Sequence, residues 1–180
     1  LSICGAMLET AGSLLYDRQG GRLVDLYSGY GFFSCYLAWD YSEVTGIDFA
    51  GNEIGNNTWY GQNAGAASPT GAYNAFFGES AGRVTSTGCC NAFFGRYAGY
   101  NNTTGESNVF IGNTAGQDNI AGTNNTFLGR LSGTSNTASQ NTYVGAYSGY
   151  TNTTGTGHVF IGYEAGKANT TGEDNVYLGH

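Results

Sequence analysis

Apolar and polar positions alternate in a pattern that repeats every 17 residues from position 57 onward. Each unit reads N-x-F-[FIL]-G-x-x-[AS]-G-x-x-N-T-T-G-x-x, a short apolar run followed by small and polar residues. A fixed short period is the signature of a solenoid, in which a repeat buries its apolar face only by stacking on its neighbours. The units begin at Asn57, Asn74, Asn91, Asn108, Asn125, Asn141, His158 and Asn175, and unit 125–140 is one residue short.

The first five positions of a unit predict a β-strand with two apolar faces. Side chains alternate along a strand, so positions 2 and 4 share one face and position 3 lies on the other. Position 3 is aromatic, position 4 is aliphatic or aromatic, and position 2 is Ala, Thr or Val. If one face lines the inside of the coil, the other needs a different cover. Because copies of the chain can supply it, we predict a homo-oligomer, either a homotrimer or another closed form.

Glycine and asparagine recur at fixed places around this strand. Gly at positions 5 and 9 indicates positive φ angles or close backbone approach at the corners of a coil. Asn at position 1 is expected to stack into a ladder that bonds the coils above and below. The side chains predicted to form stacking columns are Asn74, Phe76, Asn91, Phe93, Asn108, Phe110, Asn125, Phe127, Asn141, Tyr143, Phe160 and Asn175.

These features predict an all-β fold, a parallel β-solenoid or β-roll, over residues 51–180. Residues 1–50 lack the repeat and are richer in Asp and Glu. We expect them to form a small N-terminal cap, α+β or irregular, or a fused fragment, because the end strand of a solenoid is otherwise exposed. The chain has no initiator Met and stops within a unit, so we also expect a piece of a longer protein.

Composition narrows the possible partners. Only 11% of residues are charged and the formal net charge is −7, with few Lys or Arg after position 50. This argues against nucleic acid and anionic membrane surfaces, which require basic patches. No apolar run approaches the roughly 18 residues of a transmembrane helix, so we expect no membrane insertion.

No catalytic or metal-binding constellation is evident, and we expect no cofactor and no metal. His158 replaces a ladder Asn and His180 is terminal, so neither belongs to a triad or a metal cluster. The dense Asp pattern of calcium-binding β-roll repeats is absent. Cys89 and Cys90 are vicinal. They are either two small residues at a tolerant turn or an exposed pair that oxidises or cross-links.

The Asn-Thr-Thr-Gly stretches at 102–105, 152–155 and 169–172 allow two interpretations. The structural one is a second short strand or a turn, given the β propensity of Thr and the turn preference of Asn and Gly. The functional alternative is a flat Thr-bearing face that binds ice or glycans.

Strings such as NVFIGNTAG (108–116) and NTYVGAYSG (141–149) resemble the head repeats of bacterial trimeric autotransporter adhesins. They are more similar still to longer-period repeats of phage tail-fibre-type proteins and large bacterial surface proteins. The resemblance implies a β-roll in a homotrimeric fibre used for attachment, outside the cell, at the cell surface or on a virion. It also implies a host-surface or glycan receptor and no catalytic residues. We therefore predict a non-enzymatic structural fibre or adhesin-like module.

A second resemblance concerns residues 22–48. An apolar run ending in Asp25, then Gly29 and Gly31, then a later Asp48, resembles the first motif of class I S-adenosylmethionine-dependent methyltransferases. It implies that the two Gly approach the cofactor and that Asp48 binds its ribose. Three alternatives stay open: a fortuitous match in a cap or neck, a truncated relict or fusion fragment, and a half-site completed by another chain.

Overall fold

A computed structural model of the chain describes residues 23–25, 44–46, 56–67 and 70–179. The chain divides into two compact units, residues 1–53 and 54–180. In the first unit, strands β1 (Leu23–Asp25) and β2 (Val44–Gly46) pair in parallel, with Asp25 opposite Gly46. The rest of the predicted N-terminal cap lies outside the described residues.

The second unit is a parallel β-solenoid, and this confirms the predicted fold class. No helix occurs in the part of the chain that the structure describes. Each coil contributes one three-residue strand, and eight strands pair side by side in chain order. These strands are β3 (Thr58–Tyr60), β4 (Ala75–Phe77), β5 (Ala92–Phe94), β6 (Val109–Ile111), β7 (Thr126–Leu128), β8 (Thr142–Val144), β9 (Val159–Ile161) and β10 (Val176–Leu178).

Strand register aligns each position of the unit with the same position in the next coil. Phe93 lies opposite both Phe76 and Phe110, for example. The short unit keeps this alignment, since Tyr143 lies opposite Phe127. The missing residue is absorbed at the polar corner, where Ala138 supplies the carbonyl that a Gly supplies in other coils. The columns of the sheet therefore run unbroken from β3 to β10.

Position 3 points into the coil and forms the core. The six side chains Phe76, Phe93, Phe110, Phe127, Tyr143 and Phe160 are fully buried. Consecutive rings lie 4.8–5.0 Å apart and nearly parallel, close to the strand spacing itself. Alanine or serine at position 8 closes the column from the opposite side. The core is thus one continuous aromatic stack in a thin coil.

The two glycines of each unit serve different purposes, as the coil around Phe76 illustrates. Gly82 has φ +56°, and a Cβ there would meet the Phe76 ring at 2.6 Å, so position 9 makes room for the aromatic column. Gly78 has φ +134°, and a Cβ there would meet the Gly95 carbonyl carbon at 2.6 Å. Position 5 therefore lets successive coils approach at the corner that ends each strand.

Candidate functional site

The asparagines at position 1 clamp each coil to itself and to the next. In the coil that starts at Asn91, Oδ1 accepts the main-chain N–H of Asn108 at 3.0 Å, and Nδ2 donates to the Gly105 carbonyl at 2.8 Å. The same two kinds of bond recur for the buried residues Asn57, Asn74, Asn108, Asn125 and Asn141. These side chains satisfy main-chain groups that a thin interior would otherwise leave without water or partner.

This arrangement differs from the simple amide-to-amide ladder expected from the sequence. Direct amide-to-amide bonds of 3.1 Å join Asn91 to Asn74 and Asn108 to Asn91. The main chain of the next coil is the more regular partner. The reason is geometric: Asn Oδ1 at the start of a strand lies beside the N–H that begins the next strand, and Nδ2 reaches across the coil.

His158 occupies position 1 of its coil and places an imidazole ring where the other coils have an asparagine amide. Its ring is fully buried, stacks 4.8 Å from the Phe160 ring, and accepts the Asn175 N–H at Nδ1 over 3.1 Å. Burial lowers the pKa of His158, and the nearby Asp174 carboxylate opposes that shift. Since Nδ1 accepts a hydrogen bond, the neutral ring is the form that fits this position.

A second buried asparagine column lies at position 12, and the sequence interpretation had missed it. Its members Asn102, Asn119, Asn136 and Asn152 are fully buried. Asn152 Nδ2 donates to the Tyr143 hydroxyl and to Asn136 Oδ1, both at 2.8 Å. Burial raises the pKa of Tyr143, and the bond from Asn152 opposes the shift. Asn recurs at position 12 as it does at position 1, so the spacing indicates a column there but not that its amides point inward.

The outer face of the sheet has an apolar side chain at position 4 of every strand, while position 2 is Ala or Val except at Thr58, Thr126 and Thr142. Positions 2 and 4 point away from the core; eight of their larger side chains are exposed by 36–73%, while Phe77, Val144 and Val159 are partly buried. Phe77 and Phe94 stack on this face with ring centroids 4.9 Å apart. The exposed members are Tyr60, Phe94, Val109, Ile111, Leu128, Ile161, Val176 and Leu178. The structure thereby identifies which of the two predicted apolar faces lacks a cover.

The corner after the strand carries, at positions 6 and 10, every Lys and Arg that the described part of the solenoid contains, and Tyr97 and Tyr147 lie beside them at position 7. The Lys and Arg residues are Arg83, Arg96, Arg130 and Lys167. Arg96 lies 4.2 Å from the centroid of the Tyr97 ring and Arg130 lies 4.7 Å from that of Tyr147. Arg96 also pairs with Glu79 at 2.9 Å. We call this corner the Tyr–Arg edge.

The threonines of the polar stretches lie in bends at the opposite side of the coil. At position 13, the hydroxyls of Thr103, Thr137 and Thr153 donate to main-chain carbonyls of the next coil at 2.8–3.1 Å. Ile120 interrupts this column and is 50% exposed. The hydroxyl protons at this position therefore reinforce coil stacking instead of facing solvent as a regular donor array.

The structure brings none of the four methyltransferase-like positions into a described site. Asp25 ends β1, while Gly29, Gly31 and Asp48 lie outside the described residues. The parallel pairing of β1 and β2 is the arrangement that a strand–crossover–strand motif produces. Among the described residues, no group of three or more His, Cys, Asp or Glu side chains is placed to hold a metal ion.

Comparison with protein-family models, with curated proteins and with solved structures gave no match to this chain. The resemblance to adhesin and tail-fibre repeats therefore stays a prediction from the repeat pattern. Within the residues described above, we find no helical segment with the length and apolar character of a membrane span.

Proposed function

We propose that this chain is a non-enzymatic structural fibre or adhesin-like surface module that assembles with copies of itself through the outer sheet face. The observation that supports the proposal is the outer face of β3 to β10, which is apolar at position 4 of every strand and largely exposed on the single chain. A homotrimer is the form that the resemblance implies, while the face itself suits any cyclic ring whose subunits turn this surface inward.

The size of the face supports this use. If a large side chain exposes roughly 170 Å² in full, the eight exposed residues together present about 650 Å² of accessible apolar surface. The largest apolar patch on a typical monomer is about 300–600 Å² and is often functional. A standard protein interface buries roughly 800 Å² per partner. With its half-buried members added, the outer face therefore approaches the area that a specific contact between copies requires.

Self-association can be tested with two matched aspartate variants. Ile111 is 40% exposed on the outer face, and Ile120 is 50% exposed on the polar side of the coil. Ile111→Asp places a charge in the proposed interface, where desolvation without a partner costs several kcal/mol. We expect sedimentation equilibrium to show about three chains for the parent protein and for Ile120→Asp, and a single chain for Ile111→Asp. A parent protein that stays monomeric at high concentration would refute self-association.

Attachment is the second part of the proposal, and the Tyr–Arg edge is the surface we assign to it. Tyr and Arg are enriched at the centres of binding sites because both combine apolar area with directed polar groups. We propose that this edge faces a host-surface or glycan receptor, with the protein outside the cell, at a cell surface or on a virion. Binding to a glycan array should fall for a Tyr147→Ala variant and stay unchanged for Thr154→Ala at the opposite side.

One observation favours a second candidate function. The strands β1 and β2, which lie within the methyltransferase-like stretch 22–48, pair in parallel. Under this alternative the first unit is a methyltransferase-derived fragment that binds S-adenosylmethionine through Asp48. Calorimetric titration with S-adenosylmethionine decides the matter. Heat of binding that disappears in Asp48→Ala would favour the alternative, and the absence of heat would remove it. The ice-binding alternative has no such support, because the position 13 hydroxyls donate to the main chain.

A further inference from the structure

Cys89 and Cys90 form a pair of thiols at the corner that precedes β5. Their Sγ atoms are 2.9 Å apart, in hydrogen-bonding contact. Both are free thiols, with Cys90 exposed and Cys89 partly exposed. Cys90 has φ +63°, as residues at position 17 do in the other coils. The turn itself therefore directs two adjacent side chains toward each other, an arrangement that adjacent residues in a strand cannot adopt because their side chains alternate.

The peptide group between the two cysteines joins three coils. Its carbonyl, from Cys89, accepts the N–H of Ser107 in the following coil at 3.0 Å. Its N–H, from Cys90, donates to the Ala72 carbonyl in the preceding coil at 2.9 Å. Any chemistry that rotates this one peptide therefore acts on hydrogen bonds to both neighbours at once.

We propose that Cys89 and Cys90 are a reversible redox site, which a small external disulfide such as oxidised glutathione converts into a vicinal disulfide. The thiolate of Cys90, the more exposed of the two, attacks one sulfur of the external disulfide and releases the first glutathione thiolate. Cys89 then loses its proton and attacks Cys90 Sγ, which forms the Cys89–Cys90 bond and releases the second. The protein gives up two electrons and two protons, and the oxidant becomes two thiols.

The environment of Cys89 suits it to the second step. Its hydrogen bond with Cys90, its partial burial and the charge of Glu106 raise the pKa of Cys89 to about 11. A thiol protonated at neutral pH is a poor first nucleophile toward a dissolved disulfide. As the resolving thiol it needs no encounter, because its target sulfur is already in contact. We therefore expect the Cys89–Cys90 disulfide to form faster than Cys89 reacts with a second molecule of oxidised glutathione.

Closing the bond also strains the corner. The ring formed by two adjacent cysteines contains their shared peptide, so closure has to move that peptide against its bonds to Ala72 and Ser107. Strained and exposed disulfides have higher reduction potentials and are the labile, regulatory ones. The site is thus expected to reopen readily with a dithiol, and its oxidation is expected to loosen the contacts between the first, second and third coils at this corner.

Peptide mapping tests the proposal on the whole chain. The folded protein is treated with oxidised glutathione, remaining thiols are alkylated, and the denatured chain is cut with trypsin. Cleavage after Arg83 and Arg96 releases a peptide that holds Cys89 and Cys90 and no other cysteine. We expect this peptide to lose about 2 Da, the mass of two hydrogens, to escape alkylation, and to recover both thiols after dithiothreitol.

Single-residue variants and amide hydrogen exchange distinguish a specific Cys89–Cys90 disulfide from unspecific oxidation of two exposed thiols. Cys89→Ser should accumulate a stable glutathione adduct on Cys90, because no resolving thiol remains. Oxidation of the parent protein should speed hydrogen exchange at the amides of Cys90 and Ser107 by about tenfold or more, with the amide of Asn125 unchanged. A peptide that carries one or two glutathiones, a disulfide to another peptide or chain, or unchanged exchange at both amides would overturn the proposal.

Discussion

Phe93 and Phe94 offer a direct test of the way the coil faces, because neighbouring residues of the same type lie on opposite sides of one strand. Phe93 is fully buried between the rings of Phe76 and Phe110, at 5.0 and 4.8 Å. Phe94 is 40% exposed on the outer face and stacks on Phe77 at 4.9 Å. Replacing each with alanine removes the same atoms from two different environments.

The expected losses of unfolding free energy differ severalfold. Phe93→Ala removes a buried ring and leaves a void that its neighbours can fill only in part, which typically costs about 3–5 kcal/mol. Two ring contacts are lost as well, each worth roughly 0.5–1.5 kcal/mol and partly included in that figure. Phe94→Ala removes one such contact and part of an exposed side chain, so about 1–1.5 kcal/mol is expected for the single chain.

Urea denaturation followed by far-UV circular dichroism measures both losses, at a dilution where sedimentation shows single chains. A stack of repeats couples each coil to its neighbours, so Phe93→Ala is also expected to broaden the transition or split it at the third coil. Equal destabilisation by the two variants would refute the assignment of position 3 to the interior. At high concentration Phe94→Ala should instead weaken self-association.

Two further predictions concern the asparagine column. Asn108→Ala leaves the N–H of Asn125 and the carbonyl of Gly122 without their hydrogen-bond partners inside the coil. In urea denaturation it should lower the free energy of unfolding by about 2–4 kcal/mol. The control Asn113→Ala, at an exposed corner, should change the free energy of unfolding little. Because the folded-state pKa of His158 lies below its ordinary value of 6.5, the unfolded chain binds more protons in this range. Stability is then complete above about pH 6.5 and falls as the pH drops through 6.5 toward the lowered pKa. Denaturation midpoints between pH 7.5 and 5.5 should show this decline in the parent protein, and it should be smaller in His158→Asn.

Much of the solenoid was predictable because the period itself encodes it. Residues 17 apart meet at the same place in successive coils, so the aromatic column at position 3 and the asparagine column at position 1 could be derived from spacing alone. Even the short unit caused no error, since its deletion falls at the polar corner and leaves the strand register of Phe127 and Tyr143 intact. The methyltransferase-like motif is different, because nothing in a local motif tells whether further units complete the site.

The asparagines at position 12 show what spacing does not reveal. Asn102 and Asn152 stand in Asn-Thr-Thr-Gly stretches that are polar throughout, for which the pattern allows a second short strand, a turn or a Thr-bearing face. They are buried because the coil turns these two amides inward, where Asn152 reaches the hydroxyl of Tyr143. Whether a polar side chain of a turn points inward depends on the turn's φ and ψ angles, which the sequence pattern leaves open.

By itself, the sequence determined the period, the parallel stacking and the alternation that separates position 3 from positions 2 and 4. Alternation places them on opposite faces, but it is symmetric and does not say which face the chain bends around. Only the tertiary structure decided this. The coil closes over position 3 because Gly at position 9 lacks the Cβ that would clash with the aromatic ring. The aromatic column at position 3 therefore packs against the glycine column at position 9. Positions 2 and 4 are thereby left outside, as the face on which our proposal of self-association depends.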